Sequence, residues 1–218
     1  MPVREAHRQV AAIVLEVASR HGFALAGGNA LMMHEVIDRH TADVDIFTNE
    51  VGGVEAVAAK VEDALAAAGF AVDRTDKTGG LTEVFPGMGE GLAEWALTSP
   101  TGEKVQLQMS YFYRVNRPVI MEVGPVLDLD DVAAGKTAAF ASRAVARDFV
   151  DVAALLNHYS PAELIALARR QDPGLREEDF PAAAQRLDQT PDTAFAQRYR
   201  LLPDIIAWIR EQFRDWPR

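Results

Sequence analysis

The sequence predicts an α/β (α+β) fold up to about residue 127 and an all-helical half after it. In the first half, Leu92–Thr98 and residues 104–112 are predicted strands, joined across the turn residues Ser99-Pro100-Thr101-Gly102. Beyond Leu127 the apolar side chains recur at helical spacing, and prolines separate the predicted helices. A chain of 218 residues with 49% hydrophobic residues can bury a full core. We therefore expect one domain over residues 1–127 and a helical domain over residues 128–218.

The remaining elements follow in order along the chain. Residues 4–20 have a helical apolar pattern that ends at Gly22, and a short apolar strand follows it. Residues 54–65 form a second amphipathic pattern, before predicted strands over residues 70–72 and 81–85. In the second half, Ser160-Pro161-Ala162-Glu163 is typical of a helix start with a capping box.

Composition excludes several classes of protein. The chain has no cysteine, so disulfides, thiolate metal sites and cysteine nucleophiles are excluded. Its first residues lack the apolar core of a signal peptide, and no apolar run is long enough to span a membrane. A net charge of -10 argues against broad, nonspecific binding to nucleic acid, because basic surface drives such binding. We expect a cytoplasmic protein with no membrane partner.

Two motifs that can bind a polyphosphate lie within one supersecondary unit. The first is the turn Gly27-Gly28-Asn29, where glycine lets the backbone bend and lets a phosphate approach the N–H groups that open the next helix. The second is the pair Asp43 and Asp45, whose alternation with apolar residues places both carboxylates on one face of a strand. Such a pair can share divalent metal ions. The chemistry indicated is phosphoryl or nucleotidyl transfer.

In the order strand, Gly-Gly, helix and Asp-x-Asp, this segment resembles the nucleotidyltransferase fold shared with DNA polymerase beta. Within that superfamily it is similar to the AbiEii/AbiGii toxin family, which includes the MenT-like toxins, at Gly27-Gly28-Asn29-Ala30-Leu31, Arg39, Thr41, Asp43, Asp45 and Phe47. The resemblance implies a mixed sheet with flanking helices. It also implies metal ligands, for Mg²⁺ or Mn²⁺, at the catalytic Asp43 and Asp45. Nucleotide-binding residues are implied at Gly27, Gly28, Asn29, Arg39 and Thr41.

A second motif on the predicted helical half extends the resemblance. Gly135-Lys136, Arg143 and Arg147-Asp148-Phe149-Val150-Asp151 are similar to the family's Lys, Arg and Arg-Asp-Phe-x-Asp run. Lys136 and Arg143 share a face if one helix covers both. The resemblance implies that Lys136, which is also catalytic, and Arg143 neutralise the triphosphate. It further implies that Asp148 and Asp151 order this wall of the nucleotide site or position Lys136. Without the resemblance, Arg147 and Asp151 are read as an i,i+4 ion pair and Lys136 as a surface lysine.

The sequence departs from the superfamily at its usual third acid. Relatives place another carboxylate on a strand beside the Asp-x-Asp strand, where it serves as a base or a metal ligand. Here Gln106 occupies the expected position, and Gln108 lies on the same strand face. Glutamine can offer a carbonyl oxygen to a metal but cannot act as a useful base. Either this branch works with two carboxylates or it has lost the reaction.

The resemblance implies a metal-dependent nucleotidyltransferase that is the toxin of a toxin–antitoxin pair. It would transfer a nucleotide from a nucleoside triphosphate (NTP) to tRNA or another RNA acceptor, with a cognate antitoxin as partner. The active site is expected in the cleft between the two halves. Two alternatives stay open. One is a catalytically inactive nucleotide-binding or interaction module of the same fold, and the other is a small-molecule nucleotidyltransferase of the antibiotic-modifying kind.

Overall fold

A computed structural model describes residues 5–39, 41, 43–76 and 91–218. The chain divides into two compact units, Met1–Asp128 and Leu129–Arg218. The first unit contains a seven-stranded sheet with flanking helices, and the second is built from helices. The predicted α/β class is therefore confirmed. The predicted strand over residues 81–85 lies outside the described residues.

The sheet of the first unit is mixed. Its strands are β1 (Ala24–Leu25), β2 (Asp43–Thr48), β3 (Ala71–Arg74), β4 (Leu92–Thr98), β5 (Lys104–Tyr111), β6 (Val119–Met121) and β7 (Gly124–Val126). They lie side by side in the order β3-β4-β5-β2-β1-β7-β6. The pairs β2–β5 and β1–β7 are parallel, while β1–β2, β3–β4, β4–β5 and β6–β7 are antiparallel. This order puts the Asp-x-Asp strand β2 at the centre of the sheet.

In the part of the first unit that the structure describes, the sheet is flanked by the helices α1 (Glu5–Ala18), α2 (Gly27–Met33) and α3 (Gly53–Ala67). Alternate side chains of the central strands are buried on one face of the sheet, among them Ile46, Trp95 and Leu107. Contacts from α1 and α3 cover these strands, and Trp95 Nε1 donates a hydrogen bond to Glu62 Oε1 of α3 at 3.0 Å. The apolar stripes of α1 and α3 thus meet the apolar face of the sheet, which leaves the other face to polar side chains.

A charged cluster around Arg74 holds one edge of the sheet. Arg74 Nε lies 2.9 Å from Asp76 Oδ1, and the guanidinium lies 5.4 Å from the centre of the Trp95 ring. Asp76 Oδ1 also accepts the backbone N–H of Glu94 at 3.2 Å. Burial raises the pKa of Asp76, but the hydrogen bonds from Arg74 and Glu94 and the charge of Arg74 outweigh burial and hold that pKa below its ordinary value. Asp76 is therefore an ionised anchor for the backbone at Glu94.

The helices of the second unit are α4 (Leu129–Arg143), α5 (Ala146–Leu155), α6 (Pro161–Gln171), α7 (Asp179–Gln189), α8 (Asp192–Tyr199) and α9 (Pro203–Gln212). Its core contains a cluster of aromatic rings with centroids 5.2–6.2 Å apart: Phe140, Phe149, Phe195, Phe213 and Trp216. The predicted capping box at the start of α6 is confirmed, because Ser160 Oγ accepts the Glu163 N–H. Within the described residues, no helix is long and apolar enough to cross a membrane.

Candidate active site

Asp43 and Asp45 lie on β2, on the face opposite its buried side chains. Val44 and Ile46 are fully buried, whereas both aspartates are partly exposed. Because side chains alternate along a strand, the two carboxylates project from one face, with their backbones about 7 Å apart. Among the described residues, none forms a hydrogen bond or an ion pair with the Asp43 carboxylate. The central strand therefore presents two acids side by side on the polar face of the sheet.

The glycine turn packs directly against this pair. Gly27 has φ +60, and a Cβ on it would lie 1.8 Å from Asp45 Oδ2. A Cβ on Gly28 would lie 2.4 Å from Thr41 Cγ2. The Ala26 N–H donates a hydrogen bond to the Asp45 carbonyl at 2.8 Å, which holds the turn against the strand. The turn and the acid pair thus form one constellation, and the missing side chain of Gly27 is the space in which the Asp45 carboxylate lies.

Asn29 links the turn to the acid strand through its side chain. Its Nδ2 donates to the Asp43 carbonyl at 2.8 Å, and its Oδ1 accepts the Thr41 hydroxyl at 2.8 Å. The whole residue is only 1% exposed and both polar atoms of its side chain are bonded, so the side chain holds the turn to the strand rather than reaching a phosphate. Arg39 lies at the same turn, with Nη2 3.8 Å from the position of a Cβ on Gly28. The sequence alone predicts a phosphate contact for Asn29, because the residue is polar and follows Gly-Gly. Its positioning role was missed because that role depends on burial, which the sequence does not show.

Replacing Asn29 by alanine is expected to destabilise the fold and to weaken metal-dependent nucleotide binding. The change leaves the buried Thr41 hydroxyl and the Asp43 carbonyl without their partner, at a cost of about 1–3 kcal/mol for each unsatisfied group. Urea unfolding and calorimetry measure the two effects. Asn157→Ala, which removes a local hydrogen bond from an exposed residue to the Ala154 carbonyl, is the control and should change neither quantity appreciably. An Asn29→Ala protein with wild-type stability would show that the buried link is dispensable.

The neighbouring strand places two glutamines beside the two aspartates. In the parallel register of β2 and β5, Asp43 is opposite Gln106 and Asp45 is opposite Gln108. The expected position of Gln106 beside the acid pair is therefore confirmed. Carboxylate and amide oxygens are hard ligands of the kind that Mg²⁺ prefers, so these residues suit such an ion. Among the described residues there is no cluster of three or more His, Cys, Asp or Glu side chains that could hold a metal.

In the helical unit, two ion pairs fix the predicted phosphate-binding cations. Lys136 and Arg143 lie on the single helix α4, as the predicted shared face requires. Lys136 Nζ is 2.9 Å from Asp151 Oδ2, and these side chains are 18% and 0% exposed. Lys136 is therefore not the surface lysine of the alternative interpretation. Arg143 donates two hydrogen bonds to the buried Asp148, from Nε at 3.0 Å and from Nη2 at 2.8 Å.

The turn between α4 and α5 brings these charges together. Ala144 has φ +46, an unusual left-handed conformation for alanine, and it follows the last residue of α4. Asp148 Oδ2 accepts the Val145 N–H at 3.1 Å, so one carboxylate both caps α5 and binds Arg143.

A groove of about 480 Å³ elsewhere in this unit, beside α6, is lined by residues such as Arg169 and Asp215 and includes none of the predicted site residues.

Comparison with known proteins identifies the family of this chain. A family model described as "Nucleotidyl transferase AbiEii toxin, Type IV TA system" matches residues 10–212. The chain belongs to the AbiEii nucleotidyltransferase toxin family. This membership confirms the resemblance drawn from the two motifs and supports a transferase activity of the nucleotidyltransferase class. A comparison with curated protein sequences finds no match.

Solved structures show the same fold at low sequence identity. JHP933 from Helicobacter pylori is 13% identical, with a TM-score of 0.61 over 97% of this chain and 91% of that chain. The nucleotidyltransferase toxin MenT4 from Mycobacterium tuberculosis is 16% identical, with a TM-score of 0.58 over 96% of this chain and 82% of that chain. The nucleotidyltransferase fold of this AbiEii-family chain is therefore preserved along nearly its whole length.

Proposed function

We propose that this AbiEii-family chain is a metal-dependent nucleotidyltransferase that transfers a nucleotide from an NTP to a hydroxyl of an RNA such as tRNA, as the toxin of a toxin–antitoxin pair. The observation that carries the proposal is the contact between Gly27 and Asp45, which joins the phosphate turn to the acid pair. Family membership supports the reaction class and implies a cognate antitoxin as partner. The RNA acceptor follows from the resemblance of the motifs to the family.

In the proposed reaction, the acceptor hydroxyl attacks the α-phosphorus and pyrophosphate leaves. Asp43 and Asp45 are the proposed ligands of Mg²⁺ or Mn²⁺, which when bound neutralises charge on the phosphates and on the leaving oxygen. The backbone N–H groups at Gly27 and Gly28 are the proposed phosphate contacts, and because both residues lack a side chain, Asp45 and Thr41 pack directly against this turn. Arg39 lies at the same turn and supplies a nearby positive charge. Asn29 and Thr41 hold the turn and the strand in register.

Lys136 and Arg143 are the proposed cations that neutralise the triphosphate. Each is held by a buried carboxylate, Lys136 by Asp151 and Arg143 by Asp148, so their side chains are ordered before a ligand binds. Ordering in advance lowers the entropy cost of binding. Asp148 and Asp151 accordingly act as positioning residues in this proposal.

Removing Lys136 alone is expected to damage the fold as well as the site, so its test needs a compensated variant. Lys136→Met removes the lysine ammonium from the buried Asp151 carboxylate, at a cost of about 3–5 kcal/mol. The double variant Lys136→Met/Asp151→Asn removes both charges and should regain most of that stability. We expect it to bind Mg-NTP more weakly than Asp151→Asn alone, as measured by calorimetry, and Lys136→Arg to keep part of the affinity. Equal affinity in the double variant and in Asp151→Asn would make the Lys136–Asp151 pair purely structural.

The function is tested by incubating the purified protein with Mg²⁺, total RNA and each α-labelled NTP in turn. Label should appear in RNA with one or more of the triphosphates, and chelation of the metal should abolish it. Mg-NTP binding without transfer to RNA would favour the inactive module, for which the glutamine opposite Asp43 is the specific structural argument. Transfer to small hydroxyl compounds but not to RNA would instead support the small-molecule alternative.

A further inference from the structure

The register of three strands places a further carboxylate in line with the acid pair. Asp45 is opposite Gln108 on β5, and Gln108 is opposite Glu94 on β4. Strand alternation puts these three side chains on the same face, because the intervening Ile46, Leu107 and Trp95 are all buried. Glu94 is thus the acid at the far end of a polar row that starts at Asp45.

The backbone of Glu94 is fixed by hydrogen bonds, while its carboxylate has no partner among the described residues. Its N–H donates to Asp76 Oδ1 at 3.2 Å, and its carbonyl accepts the Thr75 N–H at 2.8 Å. Asp76 is itself held by Arg74 at 2.9 Å. Yet the Glu94 carboxylate, which is partly buried, has no hydrogen bond or ion pair with any other described residue. A partly buried carboxylate that is attached to a fixed backbone, and that no described residue neutralises, is available to a ligand.

The spacing suits an acceptor group rather than a shared metal. Neighbouring strands lie about 4.8 Å apart, so the backbones of Glu94 and Asp45 are separated by two such steps, roughly 10 Å. Direct ligation of one small ion by both carboxylates needs much shorter oxygen–oxygen distances. A hydroxyl placed above Gln108, midway along the row, is instead close to both side chains. At that place it can approach an NTP bound at Asp45 and still hydrogen-bond to Glu94.

We propose that Glu94 is a catalytic residue that accepts the proton of the attacking acceptor hydroxyl, in place of the third acid that Gln106 replaces. This assignment rests on the proposed nucleotidyl transfer. The acceptor oxygen forms a bond to the α-phosphorus, the bond between the α-phosphorus and the bridging oxygen breaks, and pyrophosphate leaves with that electron pair. The hydroxyl proton passes to the Glu94 carboxylate, so atoms and charge balance without a co-reactant. Gln106 and Gln108 can orient the hydroxyl but cannot take its proton.

The test compares Glu94→Gln with Asp73→Asn, a matched control on the same face. Asp73 is opposite Ala96, and Ala96 is opposite Gln106, so Asp73 lies one strand farther from the acid pair than Glu94. Single-turnover transfer is measured with Mg²⁺, α-labelled NTP and total tRNA. Glu94→Gln should slow transfer by on the order of 10²-fold or more while Mg-NTP affinity is unchanged. Asp73→Asn should leave both unchanged.

A rescue variant separates proton acceptance from a structural effect. Gln106→Asp places a carboxylate on β5, directly opposite Asp43 and one strand closer to β2 than Glu94 is. The double variant Glu94→Gln/Gln106→Asp should therefore regain part of the lost rate. Transfer by Glu94→Gln at the wild-type rate would overturn the role of Glu94 and leave the proposed function standing. A slow variant whose Mg-NTP affinity falls in parallel would also overturn the role. A wild-type protein that transfers no label to RNA would refute the proposed function and the role of Glu94 together.

Discussion

Asp45→Asn and Asp43→Asn are each expected to abolish nucleotidyl transfer and to weaken Mg-NTP binding by on the order of 10²-fold or more, because each removes a charged side chain that we propose as a metal ligand. Without metal, the effect of these variants on NTP affinity should reverse. An unneutralised triphosphate is repelled by the two carboxylates, so each asparagine variant should bind metal-free NTP at least as well as the wild type. Calorimetry in Mg²⁺ and in chelator measures both affinities.

Asp73→Asn is the control for these two variants, since it removes the same charge from the same face of the sheet at a distance of three strands. It should keep wild-type affinity and transfer. Growth of cells that express each protein without an antitoxin is a second measurement. The wild type and Asp73→Asn should arrest growth, whereas Asp45→Asn should not. Unchanged Mg-NTP affinity in both site variants would remove the assignment of Asp43 and Asp45 as metal ligands.

The elements that the sequence predicted well are those whose pattern reports burial directly. Polar and apolar residues alternate over residues 104–111, as in a strand with one buried face, and β5 covers Lys104–Tyr111. Helical spacing over residues 54–65 likewise predicts α3, which covers Gly53–Ala67. The short strands β6 and β7, three residues each, were not predicted because so few residues do not establish a period. Local pattern is informative only when an element is long enough to repeat it.

The parts of the candidate site that could not be read are those that depend on which strands or helices become neighbours. Asn29 follows two glycines in a way that suggests a phosphate contact, and only the approach of Thr41 and the Asp43 carbonyl makes it a buried link. The i,i+4 rule pairs Asp151 with Arg147, whereas packing of α5 on α4 brings Asp151 to Lys136. Glu94 carries no motif, and the register of β4 and β5 alone aligns it with Asp45.

The second large effect is expected for Gly27→Ala, which should abolish metal-dependent binding although it adds only one methyl group. At φ +60, alanine costs about 1–2 kcal/mol relative to glycine. The larger effect is steric, because the new Cβ would lie 1.8 Å from Asp45 Oδ2 and must displace that carboxylate. Gly52→Ala is the matched control. Gly52 has φ +75 with nothing within 4 Å of its Cβ position, so it isolates the backbone cost and should bind Mg-NTP normally.

A double-mutant cycle decides whether Gly27→Ala acts through Asp45. Once Asp45→Asn has removed the charged ligand, displacement of that side chain has little left to impair. Gly27→Ala/Asp45→Asn should therefore bind Mg-NTP no more weakly than Asp45→Asn alone, and the two losses should be strongly non-additive, as expected for groups in contact. Additive losses would mean that Gly27 contributes mainly by letting a phosphate approach its backbone, independently of the metal. Equal effects of Gly27→Ala and Gly52→Ala on stability and affinity would mean that Gly27 is needed only for the turn conformation. The contact between the phosphate turn and the acid pair would then not contribute to binding.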